Sequence, residues 1–292
     1  MRILLCIPAF NEESIIGDLV KKSLRYVDHV VVCDDGSSDL TAINAENAGA
    51  YVIRHEKNKG KGAALKSLFK YARHHTDDVI LTMDGDGQFI PDEIPKLCKP
   101  IIEEKFDIVV GYRFDNNEEM PSYRVFGNKV IDKVSNLASK LPFRDTQSGF
   151  RAYSKHAIDL IKFKNDGFGA DSEILIDAVD KKLRITEEKI TVLYKIGRRT
   201  STQNPISHAS NVIGSLIELI LIRHPLKYVG ITGLCSLAIG IVTSIYVLTV
   251  FNETRYFSIG FSLISLSLIA FGVMMTLVAG LLYSFNRQLH NR

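Results

Sequence analysis

Up to about residue 200, short runs of apolar and β-branched residues alternate with stretches whose apolar positions recur at helical spacing. Residues 3–7, 29–33, 51–54, 79–81, 106–111 and 190–196 read as strands. Between them, a segment ending near residue 26, the stretches 39–48, 91–103 and 171–182, and a segment opening at Gly60-Lys61-Gly62 read as helices. Strand and helix in regular alternation predict an α/β fold with a doubly wound parallel sheet. In such a sheet the chemistry gathers at the carboxyl ends of the strands. A different pattern follows. Ile213, Leu216, Ile217 and Ile220 repeat at helical spacing, with Asn211, Ser215 and Glu218 opposite. This amphipathic helix is expected to lie in a membrane interface, with packing in a core as the other reading. Residues 228–251 and 257–285 are apolar over more than the roughly 20 residues that span a bilayer.

The short polar linker 252–256 makes those two segments a hairpin, and Arg223, Lys227, Arg287 and Arg292 flank its open end. Basic flanks mark the cytoplasmic side. The expected organisation is therefore a cytoplasmic α/β domain over 1–205, an interfacial helix over 206–227, a transmembrane hairpin over 228–286 and a cytoplasmic tail over 287–292. The protein is expected in the cell membrane as a multi-pass chain.

Composition refines this picture modestly. A chain of 292 residues, 46% hydrophobic, is long enough for one α/β domain of about 200 residues and a further element. A formal charge of +3, with no basic arm or nucleic-acid motif, gives no reason to expect nucleic acid as a partner. Cys6, Cys33, Cys98 and Cys235 show no metal-ligand spacing, and read as free thiols in a reducing cytosol. Met1 leads directly into the first strand, so no signal peptide is expected.

The stretch from Leu81 to Gln88 ends a buried strand in two carboxylates, Asp84 and Asp86, separated only by Gly85. Carboxylates so close repel unless a cation sits between them, and hard oxygen ligands select Mg²⁺ or Mn²⁺. Gln88 adds a neutral oxygen donor, and the glycines leave room for a diphosphate on the same metal. A plain Asp-Gly surface turn is the other reading. The second strand likewise runs into Asp34-Asp35-Gly36-Ser37-Ser38-Asp39. Lys61 and its small neighbours at a helix start suit an anion such as a diphosphate, or form a solvated basic loop.

IPAFNEE (7–13), VVVCDDGSSD (30–39), the GKGAA helix start and MDGDGQ (83–88), in this order, resemble the inverting family 2 glycosyltransferases of the GT-A fold. The resemblance covers roughly residues 1–200. It implies a nucleotide sugar held by Pro8, Ala9, Asn11, Glu12, Asp34, Asp35 and Lys61, with Asp84, Gly85, Asp86 and Gln88 around the diphosphate's metal. Asp145-Thr146-Gln147-Ser148-Gly149-Phe150-Arg151-Ala152-Tyr153 is similar to an element of dolichyl-phosphate mannose synthases and related polyprenyl-phosphate enzymes. The chain has no QxxRW-like motif and no Trp, unlike cellulose- or chitin-synthase polymerases.

The resemblance implies transfer of a sugar, with inversion, to dolichyl or another polyprenyl phosphate at the bilayer. UDP-glucose, UDP-N-acetylglucosamine and GDP-mannose all stay open as donors. Asp86, Asp171 and Arg151 are the expected catalytic residues. Asp171 or Glu173 borders the sugar by analogy, an acidic helix cap being the alternative. Arg113, Arg124, Arg151, Arg198 and Arg199 are candidates for the acceptor phosphate, since guanidinium forks match phosphate oxygens. Asn128 lies in the same 121–129 segment as Arg124. Five arginines exceed what one phosphate can use. Two other classes stay in view: a glycosyltransferase acting on a hydroxyl, which needs a base, and a non-catalytic scaffold with a nucleotide-binding fold.

Overall fold

The computed structural model describes residues 1–113, 143–167, 169–193 and 225–290. Arg124, Asn128, Arg198, Arg199 and the helix expected over 211–223 lie outside the described residues. The chain folds as two compact units, Met1–Leu216 and Ile217–Arg292.

The first unit is built on strands β1 (Ile3–Ala9), β2 (His29–Asp34), β3 (Tyr51–Arg54), β4 (Val79–Thr82), β5 (Ile108–Tyr112), β6 (Arg151–Ser154) and β7 (Ile185–Lys189). They form one sheet in the order β3-β2-β1-β4-β6-β5-β7. Helices α1 (Ile16–Ser23), α2 (Thr41–Asn47), α3 (Lys61–Arg73), α4 (Ile94–Glu103), α5 (Lys155–Leu160) and α6 (Ala170–Asp180) connect and cover the strands. Successive strand residues point to opposite faces, and this divides the core in two. Leu5, Ile7, Val30, Val32, Leu81 and Val109 pack with Ile16, Leu19, Ile94 and Leu97. Leu4, Cys6, Val31, Cys33, Ile80 and Val110 pack with Leu65, Leu68, Phe69 and Ile174. The strands are apolar throughout because both faces are covered. Cys6, Cys33 and Cys98 are free and buried, and burial raises each thiol's pKa, to about 12 for Cys33 and Cys98.

The sheet departs from the expected all-parallel pattern at β6, which runs antiparallel to both β4 and β5. The reason is where the chain re-enters. Strand β5 ends at the carboxyl edge, and Arg151, the first residue of β6, pairs with Thr82 and Val110 near that same edge. Starting from that edge, β6 runs back along both neighbours. The last strand is also displaced from expectation. Residues 185–189, not 190–196, pair with β5, from Ile108↔Ile185 to Tyr112↔Lys189. Ile-Thr-Glu-Glu-Lys lacks an apolar run because it lies at the sheet edge, where charged residues discourage further pairing. Since β1, β2, β4 and β5 share one direction, their carboxyl ends open onto one edge.

In the second unit, a π-helical turn (Leu226–Gly230) leads into α7 (Ile231–Thr254), and α8 (Ile259–His290) packs back along it. The two helical segments have a mean hydropathy of 2.2 and are long and apolar enough to cross a membrane. Their contact follows membrane-helix physics: small residues allow close approach and hydroxyls bond across the seam. Ser236 Oγ donates to Leu268 O at 2.9 Å, and Ser265 Oγ donates to Thr243 Oγ1 at 2.9 Å. Side chains away from the seam, such as Val242 and Leu266, are about two-thirds exposed and suit a lipid surroundings better than water.

Candidate active site

Strand β4 delivers Asp84 to the carboxyl edge, and the turn that follows holds Asp86, whose Oδ1 accepts from the Gln88 amide at 3.0 Å. Gly85 is small for a reason other than room for a diphosphate: a Cβ there would stand 3.0 Å from Pro8 O and 3.2 Å from the Ala9 side chain. The turn thus rests directly on the end of β1. Glu12 follows from the same strand. Burial and the neighbouring carboxylates, Asp86 foremost, push its pKa up to about 7. Burial and then Asp84 push Asp86 up to about 6. Glu12 and Asp86 thus each feel the charge of Asp84 at this edge, where a nearby cation is favoured.

Lys61 brings one. Its Nζ lies 2.8 Å from Asp84 Oδ1 and 2.8 Å from Asp171 Oδ2. Burial disfavours the ammonium, but the charges of Asp171 and Asp84 prevail and hold its pKa above the ordinary lysine value. Lys61, whose surroundings read in the sequence as an anion site or a solvated loop, is held in this structure in a buried double ion pair. Asp171 is itself buried in the first turn of α6. Glu173, two residues on, accepts from the amides of Lys164 and Asn165 and so braces a loop.

The ends of β1 and β2 are tied into one surface. Asn11, in a left-handed conformation (φ 57°), donates its amide to Ser37 Oγ and accepts from the Ser38 amide, both at 2.9 Å. Asp34 Oδ1 accepts from the Ser37 amide at 2.9 Å. Its buried Oδ2 has Arg54 Nε at 3.3 Å but accepts no directed hydrogen bond among the described residues. Asp35 faces inward: Oδ1 is 2.6 Å from His55 Nδ1, and Oδ2 accepts from the Gly60 amide at 2.7 Å. His55 continues through Nε2 to Ser67 Oγ at 2.8 Å.

Two of the five arginines change role. Arg151 is fully buried; Nη1 donates to Asp171 O and Nη2 to Thr146 O, each at 2.8 Å. Its guanidinium, expected among the catalytic groups, is turned in this structure to these two carbonyls beneath Asp171. Replacing Arg151 with Ala strands two buried carbonyls, and a stability loss of about 2–5 kcal/mol is expected. Denaturant unfolding checks this; a raised KM for acceptor with unchanged stability contradicts it. Arg113 forms a fork on buried Asp145, Nε to Oδ2 at 2.5 Å and Nη2 to Oδ1 at 2.8 Å.

Gly149 had no assigned role in the sequence, yet it forms the floor under Asp84. A Cβ at this position would stand 2.3 Å from both carboxylate oxygens. Thr82 Oγ1 donates to Gly149 O at 3.0 Å and holds the floor to β4. The Ser-Gly pair within the DTQSGFRAY stretch was the available signal. Among the described residues, no three acidic, His or Cys side chains converge as a complete metal-ligand set. The donor set nevertheless fits a hard divalent ion that shares its shell with a substrate's oxygens. The strand-end acids are all oxygen donors, and such ions commonly bind one or two carboxylates plus phosphate oxygens.

The crystal structure of glucosyl-3-phosphoglycerate synthase from Mycobacterium tuberculosis in complex with Mn²⁺ and UDP-glucose superposes with a TM-score of 0.60 at 24% identity, covering 75% of this chain and 79% of that one. Acidic strand ends on this mixed sheet define a glycosyltransferase of the GT-A fold. Residues 4–161 match the family model described as glycosyl transferase family 2, and the chain belongs to that family. A UDP-N-acetylglucosamine–dolichyl-phosphate N-acetylglucosaminyltransferase of Methanococcus voltae is 34% identical over 215 residues, 66% of this chain and 86% of that protein. Glycosyltransferase AglJ of Haloferax volcanii is 27% identical over 289 residues, 97% of this chain and 93% of that protein.

Proposed function

We propose that this chain transfers a sugar from a nucleotide sugar to dolichyl or a related polyprenyl phosphate, inverting the anomeric carbon. The observation that carries the reading is the acidic strand-end cluster of Asp84, Asp86 and Glu12 in a chain that also holds two membrane-length helices. The relative from Methanococcus voltae, named for transfer of N-acetylglucosamine to dolichyl phosphate, supports the acceptor class. The M. tuberculosis neighbours, solved with Mn²⁺ and UDP or UDP-glucose, support a nucleotide-sugar donor and a divalent ion.

In this reading Asp84 and Asp86, with Gln88 as a further oxygen donor, would hold the Mg²⁺ or Mn²⁺ that the donor diphosphate requires. The bound ion supplies Lewis-acid stabilisation of the charge that develops on the leaving diphosphate. Asp34 Oδ2, which has Arg54 Nε at 3.3 Å but accepts no directed hydrogen bond among the described residues, is offered to a base N–H, and the interlocked loops of Asn11 and Ser37–Ser38 form the nucleotide wall. The phosphate acceptor is anionic near pH 7, so it attacks from the face opposite the leaving group without a strong general base. Asp171, ion-paired with Lys61, lines the sugar side rather than taking a proton. With the Arg113 fork on Asp145 and Arg151 buried, Arg124, Arg198 and Arg199 are left to hold the acceptor phosphate. The two apolar helices, as a hairpin with its basic end in the cytoplasm, keep the enzyme where the prenyl phosphate head group lies.

The test is a panel of radiolabelled UDP-glucose, UDP-N-acetylglucosamine and GDP-mannose offered with dolichyl phosphate or with dolichol. One donor is expected to label dolichyl phosphate and none to label the alcohol. Labelling of dolichol alone would transfer the assignment to a hydroxyl-acceptor enzyme.

A further inference from the structure

Lys61 stands where two demands meet. Its ammonium is 2.8 Å from Asp84 Oδ1 and 2.8 Å from Asp171 Oδ2, and its side chain is only 13% exposed. The backbone beneath it has no slack. A Cβ at Gly60 would lie 2.4 Å from Asp166 O, and one at Gly62 would lie 2.2 Å from Asn165 O, so α3 begins in backbone contact with the 165–167 turn. Asp35 accepts from the Lys59 and Gly60 amides, and His55 holds Asp35 from the other side. Nζ can therefore leave Asp84 only by a rotation of its own side chain.

Asp84 is also the carboxylate that the divalent ion of the proposed reaction requires. An ammonium and a divalent cation on one carboxylate repel at close range in a half-buried site, so they compete for it. We infer that Lys61 is the resident counter-ion of the metal-free site, neutralising Asp84 and Asp171 until the ion and the diphosphate arrive, and then yielding Asp84 while keeping Asp171. The inference rests on the metal reading given under the proposed function. It makes the site a poor binder of bare metal. The arriving diphosphate restores the balance, because its anionic oxygens accept both the metal and the displaced ammonium. Metal loading is thereby coupled to donor binding.

The experiment measures Mn²⁺ binding to the full chain in detergent, without nucleotide, by the electron paramagnetic resonance signal of free Mn²⁺. Lys61→Gln and Lys61→Met each remove the charge and keep a side chain of similar reach. Both are expected to bind Mn²⁺ about tenfold more tightly than the unmodified protein, the scale of one removed neighbouring charge. Unchanged or weaker binding in variants with native thermal unfolding overturns the inference. A second measurement needs no variant: saturating Mn²⁺ should raise acetylation of Lys61 by acetic anhydride several-fold, read by mass spectrometry, and an unchanged rate overturns the inference equally. Asp84→Asn separates the two levels. Mn²⁺ affinity indifferent to Asp84→Asn defeats the metal reading itself, whereas affinity that falls with Asp84→Asn but ignores Lys61→Gln and Lys61→Met defeats only the role of Lys61.

Discussion

Asp84→Asn and Asp86→Asn are each expected to lower sugar transfer by about a hundredfold or more, with the protein still folded and membrane-bound. Each change keeps the shape of the side chain but removes a charged oxygen from the group that would position the diphosphate's cation, and one lost electrostatic contact to a leaving group costs about that much. Folding should survive for a physical reason. Asp86 carries its charge against burial and the nearby Asp84, so Asp86→Asn removes an unfavourable charge, and after Asp84→Asn the Lys61 ammonium keeps Asp171 as its partner. Chelation should reproduce the loss in the unmodified enzyme, and Mg²⁺ or Mn²⁺ should reverse it. The readout is initial rate alongside thermal unfolding. Full activity in excess chelator would remove the metal from the mechanism.

Gly149→Ala is expected to cost nearly as much, although it adds one methyl group and removes no functional atom. The new Cβ would lie 2.3 Å from both oxygens of Asp84, closer than any tolerated contact, so one of the two must shift. Gly149 is pinned by Thr82 and flanked by Phe150 in the core, whereas Asp84 is partly exposed, so the carboxylate is the group that yields. Transfer should fall by roughly a hundredfold because about 1 Å of displacement in a positioned group is that costly. Stability should fall by only about 1–3 kcal/mol, the usual cost of overpacking. Kinetics and denaturant unfolding on the same preparation separate the effects. Near-native transfer would mean that the floor under Asp84 is soft.

Arg151 shows where local sequence misleads. Its place within the family resemblance, and a guanidinium fork that matches phosphate oxygens, make it read as a phosphate ligand. Its burial depends on Asp171 and Thr146 offering backbone carbonyls from positions that only the folded chain brings together. The same holds for β6. Four residues, Arg-Ala-Tyr-Ser, carry too little periodicity to announce a strand, and their antiparallel direction follows from where the chain leaves β5.

What the sequence determined by itself was whatever repeats locally. Apolar runs ending in Asp34 or Asp84 set the strands and put their acids on one edge, since parallel strands carry their carboxyl ends together. Two long uncharged segments likewise announced the apolar helices, because length and hydropathy are properties of contiguous residues. The tertiary structure decided the partners of those acids. Lys61 is 23 residues from Asp84 and 110 from Asp171, and Gly149 is 67 from Thr82, yet each pair meets at hydrogen-bond distance. Coulomb and packing forces act across such contacts irrespective of chain separation. Whether a charged side chain faces solvent, a ligand or a buried counter-ion is therefore fixed only when the sheet closes its core around it.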